Sequence, residues 1–439
     1  MLKITFLGAG STVFARNVLG DCMCTPALQK SQIALYDIDE ERLIESKTIL
    51  DSINSSINKG RAEIKTYLGE ENRKAALRDA TFVVNAIQVG GYEPSTMIDF
   101  EIPKKYGVRQ TIADTLGIGG IMRGLRTIPV MKAFADDIEE VCPNAWFLNY
   151  TNPMAMLTGY MQRYTNVKTI GLCHSVQVCS KHLLKDLDMG DMIEGRKETI
   201  AGINHMAWLL AIKDRNGEDL YPEIKRRISE KVKEKSGNDL IRYDYVDKFG
   251  YYCTESSEHN AEYNAFYIKS KYPQLIEEFK IPLDEYPRRC RKQIAEWKEE
   301  KEKILESGNL GHERSEEYAS YIMEAIVTNT PYQIGGNVIN HGLIDNLVTD
   351  ACVEVPCLVN GMGIHPCYVG KLPVQLAALN MTNINVQLLT IEAAVKKDRK
   401  LIYQAAAMDP HTGTELSLTD IQKLCDELIA AHGKYMNMY

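Results

Sequence analysis

The sequence predicts an α/β fold: a Rossmann-like doubly wound parallel sheet followed by a mixed α+β second domain. Three observations predict it. Short β-branched or apolar runs alternate with helical patterns through the first half of the chain, which implies βαβ units and a parallel sheet. A glycine-rich turn, Gly8-Ala9-Gly10-Ser11, follows the first apolar run directly. Beyond about residue 195 the alternation gives way to paired strands and highly charged helical stretches.

Taken in order, residues 2–7 read as a buried strand, and a helix should begin near Ser11 and run toward Cys24. Residues 33–37 read as a second strand. A long helix follows from about Asp39, its apolar positions Leu43, Ile44, Leu50, Ile53 and Ile57 keeping helical spacing only loosely. Residues 82–87, 146–149 and 169–173 are further strands, with a weak one near Ile64. Residues 199–213 read as a strand pair interrupted at Asn204-His205, and 222–236 and 288–306 as charged helices. A strand at 352–359 and two helices from about Val374 close the chain. The change of pattern divides it into residues 1–195, a Rossmann-like domain, and 196–439, an α+β domain.

Composition narrows the function. With 439 residues, 45% hydrophobic and 25% charged, the chain has ordinary globular proportions, which excludes disordered and fibrous architectures. A net charge of −8 and no basic tract argue against a nucleic-acid partner. No run of about 18 apolar residues occurs, so no transmembrane helix is expected. Eleven cysteines at scattered spacings do not fit a secreted disulfide framework. A reducing, cytoplasmic compartment is expected, and there a special cysteine acts as a ligand or a nucleophile.

The glycine turn sits between a strand and a helix, where Gly8 and Gly10 let the backbone approach a pyrophosphate at the helix N-terminus, with Ser11 opening the helix. The G-x-G-x-x-G fingerprint is incomplete, since Val13 stands at the third glycine position. Asp37, ending the next strand, can accept hydrogen bonds from a ribose 2′-hydroxyl, which favours NAD over its 2′-phosphorylated relative. The plainer reading is that the glycines only turn the chain and that Asp37 caps the next helix, although Asp39 is the better cap.

Ligands of open parallel sheets bind beyond the carboxyl ends of the strands. Asn149-Tyr150-Thr151-Asn152-Pro153 and Cys173-His174-Ser175-Val176 fall there, and Asn204-His205 interrupts the later strand pair. A thiolate and an imidazole from separate segments can hold one divalent metal and leave positions open for substrate. On spacing alone, a packed cysteine and a satisfied core histidine explain Cys173 and His205 as well. The glycine-rich loop at residues 114–126 adds Asp114, Arg123 and Arg126, which either reach sugar or metal or serve as ordinary helix-face charges.

The glycine turn, Asp37, Asn152-Pro153, Cys173-His174-Ser175-Val176, Gly202-Ile203-Asn204-His205 and Val353-Glu354-Val355-Pro356 occur in an order that resembles glycoside hydrolase family 4 over nearly the whole chain. The Cys-His-Ser-Val form is similar to that of its α-galactosidase (melibiase) group. The resemblance implies an enzyme that departs from two-carboxylate glycoside hydrolysis, uses NAD⁺ catalytically and needs Mn²⁺. In that chemistry transient oxidation at C3 acidifies the C2 proton. A base removes it as the aglycone leaves C1, water adds, and returned hydride restores the sugar.

By the same resemblance Cys173 and His205 are the metal ligands, Asn152 contacts the sugar and His174 is the general acid. The base belongs to residues 251–263. Glu258 is the expected residue, with Tyr251 and Tyr252 as fallbacks and Glu255 and His259 close by. The implied substrate is a small-molecule glycoside, and the implied assembly a homodimer or homotetramer. Sister specificities (α-galacturonidase, α-glucosidase, 6-phospho-glycosidase) remain alternatives, as does an NAD-dependent hydroxy-acid or sugar dehydrogenase, whose fold would look the same.

Overall fold

The computed structural model describes residues 2–307 and 310–439, without the side chains of residues 298, 300, 302, 303 and 305–307. Six strands build the first half of a sheet: β1 (Lys3–Leu7), β2 (Gln32–Asp37), β3 (Glu63–Leu68), β4 (Phe82–Asn85), β5 (Trp146–Asn149) and β6 (Lys168–Gly171). They pair in parallel in the order β3-β2-β1-β4-β5-β6, the doubly wound nucleotide-binding arrangement. β1 and β4 are buried throughout, as expected of strands covered by helices on both faces. β3 lies at the sheet edge and is mostly exposed or half-buried, which is why its apolar signal is faint.

The sheet continues without a break past residue 195. β7 (Lys197–Ile203) and β8 (Met206–Lys213) form a hairpin, and β9 (Tyr252–Cys253), β10 (Tyr332–Ile339), β11 (Cys352–Asn360) and β12 (Gly363–Pro366) complete it. The described strands run on from β6 as β10-β11-β7-β8-β9, antiparallel, with β12 also paired to β11. β10 inserts directly beside β6 and has no counterpart in the sequence expectations. Its two glycines mask it. A Cβ on Gly335 would come within 2.7 Å of Val176, and one on Gly336 within 2.8 Å of Cys357 Sγ and Ile170. These glycines let the strand approach its neighbours.

Two further expectations are corrected. The glycine-rich segment is not a loop as far as residue 126, because a helix already begins at Gly117 and runs to Val141 with its first turns buried. Gly119 and Gly120 are there for contact: a Cβ on either would lie 2.7 Å from Ala113 or Thr115. The chain also closes with four helices among the described residues rather than two: Val374–Lys396, Arg399–Met408, Pro410–Glu415 and Leu418–His432. Lys397 turns left-handed (φ 54°) after the first, and Asp398, Asp409 and Ser417 accept from backbone amides to cap the others. The Val374–Lys396 helix packs on Gly117–Val141 and on Met154–Tyr164, so the end of the chain covers the parallel half of the sheet.

Candidate active site

The carboxyl ends of β1, β4, β5 and β6 open onto a cavity of about 440 Å³. At one end Gly8 adopts φ +84°, and a Cβ there would sit 2.7 Å from the Ala86 carbonyl oxygen. Only glycine suits both constraints. The Gly8 and Ala9 amides donate to the Tyr36 carbonyl, and the Gly10 amide donates to Asp37 Oδ2 at 2.5 Å. Asp37 thus braces the glycine turn from the end of β2. Asp39, not Asp37, caps the following Glu40–Asn58 helix. No side chain caps the Thr12–Cys24 helix and no acidic residue lies in its first turn, so its free amides face this end of the cavity with Ser11. Such a terminus suits an anionic phosphate.

At the other end stand the metal and sugar candidates. Cys173 ends the β6 connection and is followed by the His174–Asp186 helix, with Sγ 3.1 Å from Ser175 Oγ. His174 opens that helix and pairs through Nε2 with the buried carboxylate of Glu317. This hydrogen bond raises the affinity of the imidazole for its proton, against the opposing effect of burial. Glu317 lies 143 residues away in sequence, where no local signal marks it.

His205 occupies the two-residue turn between β7 and β8 at φ +63°, a left-handed conformation that costs a non-glycine residue on the order of 1 kcal/mol. It is 3% exposed. Its Nδ1 meets Tyr263 Oη at 3.0 Å, which leaves Nε2 toward Glu255 Oε2 at 3.4 Å. Burial disfavours the charged ring, yet Cys173 and Glu255 outweigh it and raise His205 to about 10. Glu255 itself sits at φ +64°. Burial works against its charge, but His259 and His205 hold its carboxyl down at about 2.

Donor atoms of Cys173, His205 and Glu255 all lie within 4.8 Å of one another, and so do those of Asp114, His205 and His259. A soft thiolate, an imidazole and a carboxylate are a donor set suited to a divalent transition metal. Asn152 lines the cavity and donates from Nδ2 to Asp114 Oδ2 at 3.2 Å. Arg123 also lines it, whereas Arg126 is withdrawn into the core on Asp99, 2.7 Å away.

Residues 251–263 divide differently from the sequence expectation. Glu258 does not line the cavity; its half-buried carboxylate lies 4.0 Å from Arg289, which does. Tyr252 is buried against Asp239, and Tyr251 packs beside Tyr221. Glu255, two residues before the short Ser257–Glu262 helix, and His259, its third residue, face inward instead. His259 Nδ1 meets Ser256 Oγ at 2.9 Å, and burial lowers the affinity of the ring for a second proton.

A nucleotide-binding sheet whose cavity ends in a Cys/His/Glu donor set beside a carboxylate-paired histidine describes an enzyme working on a small polar substrate with a dinucleotide and a metal at hand. Comparison with known proteins narrows this class. The family 4 glycosyl hydrolase model matches residues 3–189, and the family 4 C-terminal domain model matches residues 200–412. The chain belongs to the family 4 glycosyl hydrolases. It is 61% identical over 439 residues to an alpha-galactosidase of Bacillus subtilis (strain 168), covering all of both chains. It is 34% identical to an alpha-galactosidase of Rhizobium meliloti (strain 1021), covering all of this chain and 89% of that one. Among solved structures, a 6-phospho-alpha-glucosidase from gut microorganisms, in complex with NAD and Mn²⁺, shares the fold with a TM-score of 0.81 at 21% identity, over 99% of both chains.

Proposed function

We propose that this chain is an α-galactosidase that hydrolyses terminal α-galactosides with catalytic NAD⁺ and a divalent metal, Mn²⁺. The observation that carries the reading is the meeting of Cys173, His205 and Glu255 within 4.8 Å, at the end of a cavity that starts at an uncapped helix N-terminus. Full-length identity of 61% to an alpha-galactosidase supports the sugar. The fit of both groups follows from the chain's own residues. Gly8 and Gly10 leave backbone room beside Ser11, the uncapped first turn of the Thr12–Cys24 helix offers amides to a pyrophosphate, and Asp37 offers a carboxylate at the adjoining strand end. Cys173 and His205 would hold the metal, with Glu255 as a third donor.

When bound, NAD⁺ supplies reversible oxidation at C3, and the ion supplies Lewis acidity to the neighbouring oxygens. The protein's residues do the rest. Asn152, fixed by Asp114, hydrogen-bonds the sugar. His174, kept protonated by Glu317, donates a proton to the departing glycosidic oxygen. The base is His259 in place of Glu258: it faces the cavity and stays neutral, while a carboxylate held near 2, like Glu255, is too weak a base to take a carbon-bound proton.

The matched segments on either side of residue 195 support a division of labour there, with dinucleotide binding before it and the remaining metal and substrate groups after it. No helix among the described residues is long and apolar enough to cross a membrane. All eleven cysteines are free, which supports a reducing, cytoplasmic setting. The assembly is a homodimer or homotetramer, with exposed Leu358, Met362, Tyr368 and Val374 as candidates for the subunit contact.

A panel of p-nitrophenyl glycosides assayed with and without NAD⁺ and Mn²⁺ tests the function. Nitrophenol release from the α-galactoside should require both and leave no net NADH. Stoichiometric NADH from a hydroxy acid or free sugar would instead favour a dehydrogenase. Exchange of the C2 proton with solvent deuterium should vanish in His259→Asn and persist in Glu258→Gln.

A further inference from the structure

Two neighbouring strand pairings in the sheet are registered at one residue pair each. Among the described residues, β6 meets β10 at the single pair Gly171 and Asn337, and β11 meets β7 at the single pair Glu354 and Gly202. Asn337 and Glu354 are themselves opposed in the β10–β11 ladder. The four residues form one row across the sheet. Cys173 lies two residues beyond Gly171, and His205 three beyond Gly202. The row therefore bridges the strands that deliver the two candidate metal ligands.

Side chains follow the same line. Asn337 Nδ2 donates to the Gly171 carbonyl at 3.3 Å and to Glu354 Oε1 at 3.0 Å. Asn204, beside His205, lies within polar reach of the Glu354 carboxyl. Asn204, Asn337 and Glu354 are all fully buried. Glu354 Oε2, Asn337 Oδ1 and both amide atoms of Asn204 have no hydrogen-bond partner among the described residues. An unmet buried polar group is costly, so a proton that turns one of these oxygens into a donor is favoured.

We propose that Glu354 is a positioning residue of the metal centre: as a neutral acid it accepts from Asn337 through Oε1, donates from Oε2 to Asn204 Oδ1, and so fixes the separation of Cys173 and His205. The proposal rests on the reading of Cys173 and His205 as ligands of Mn²⁺. Burial agrees with the neutral form and pushes the carboxyl up to about 7, against the pull of His205, Asn337 and Asn204.

Mn²⁺ binding is read without turnover from the electron paramagnetic resonance of free aqueous Mn²⁺, titrated with the wild-type chain and with Glu354→Gln, Glu354→Ala and Asn204→Ala. Removing the outer partner of a metal ligand typically weakens binding about 10–100-fold. That loss is expected for both alanine variants. Glu354→Gln keeps one acceptor and one donor, so its affinity should stay near wild type. NAD⁺ binding, at the other end of the cavity, should not change in any of them, and it identifies a variant that has failed to fold; should Glu354→Ala fail, Asn204→Ala decides. Wild-type Mn²⁺ affinity in the folded alanine variants overturns the proposal, as does a loss in Glu354→Gln equal to that of Glu354→Ala. A wild-type chain that binds no Mn²⁺ overturns the metal reading, and the proposal with it.

Discussion

His174 shows how a residue acquires a role from a partner that sequence does not reveal. Alone at a helix start it would titrate near neutrality, and the buried Glu317 carboxylate raises it and orients it. A general acid is typically worth about 10²–10⁴ in rate, so Glu317→Gln should cost on the order of tenfold or more in kcat on alkyl α-galactosides. The loss should be much smaller on p-nitrophenyl α-galactoside, whose leaving group departs without a proton. Equal losses on the two substrates would show that Glu317 only supports the fold. Cys173, His174 and His205 stand at strand ends, where ligands bind, but their roles were legible only through the family resemblance. Glu255 and His259 stood beside the expected base, but which residue of that short segment faces the cavity depends on its packing, and no local signal marked Glu317.

Elements were legible where their periodicity is undiluted. The parallel strands β1, β2, β4, β5 and β6 are short apolar runs bounded by turns, and the charged helices after residue 220 declare themselves by composition. β10 was hidden because its glycines serve contacts with other elements rather than the strand's own pattern. Gly335→Ala would drive a methyl group against Val176 on the helix that begins with His174. Overpacking of this kind costs about 1–3 kcal/mol. Urea denaturation should show that loss, and a variant as stable as wild type would mean that β10 has room to shift. The helix count after Val374 was misjudged for a different reason: caps at Asp398, Asp409 and Ser417 split a continuous helical composition.

At the scale of the whole molecule, a single sheet carries both halves of the site and buries two carboxyls on the way. Burial pushes Glu262, which accepts from the Thr111, Ile112 and Ala113 amides, and Glu354 up to about 7, against 4.5 for an ordinary glutamate. Between those values the folded chain holds more protons than the unfolded one, so its stability falls as pH rises from about 4.5 through 7. Denaturation at pH 5.5 and pH 8 should show this fall, and Glu354→Gln should reduce it; a fall of the same size would mean that Glu354 does not take part. The sequence by itself determined the parallel nucleotide-binding half, the glycine turn with Asp37, and the candidacy of Asn152, Cys173, His174 and His205. The sheet and the turn are written in spacing over a few residues, where backbone geometry dictates residue type, whereas the four site residues were marked by the family resemblance. Only the tertiary structure decided that Glu255 and His259 face the cavity while Glu258 lies beside Arg289, that Glu317 holds His174, and that Asn337 and Glu354 stand in one row between the two ligand-bearing strands. Those choices depend on contacts across large separations in sequence, set by how the sheet closes and not by any local pattern.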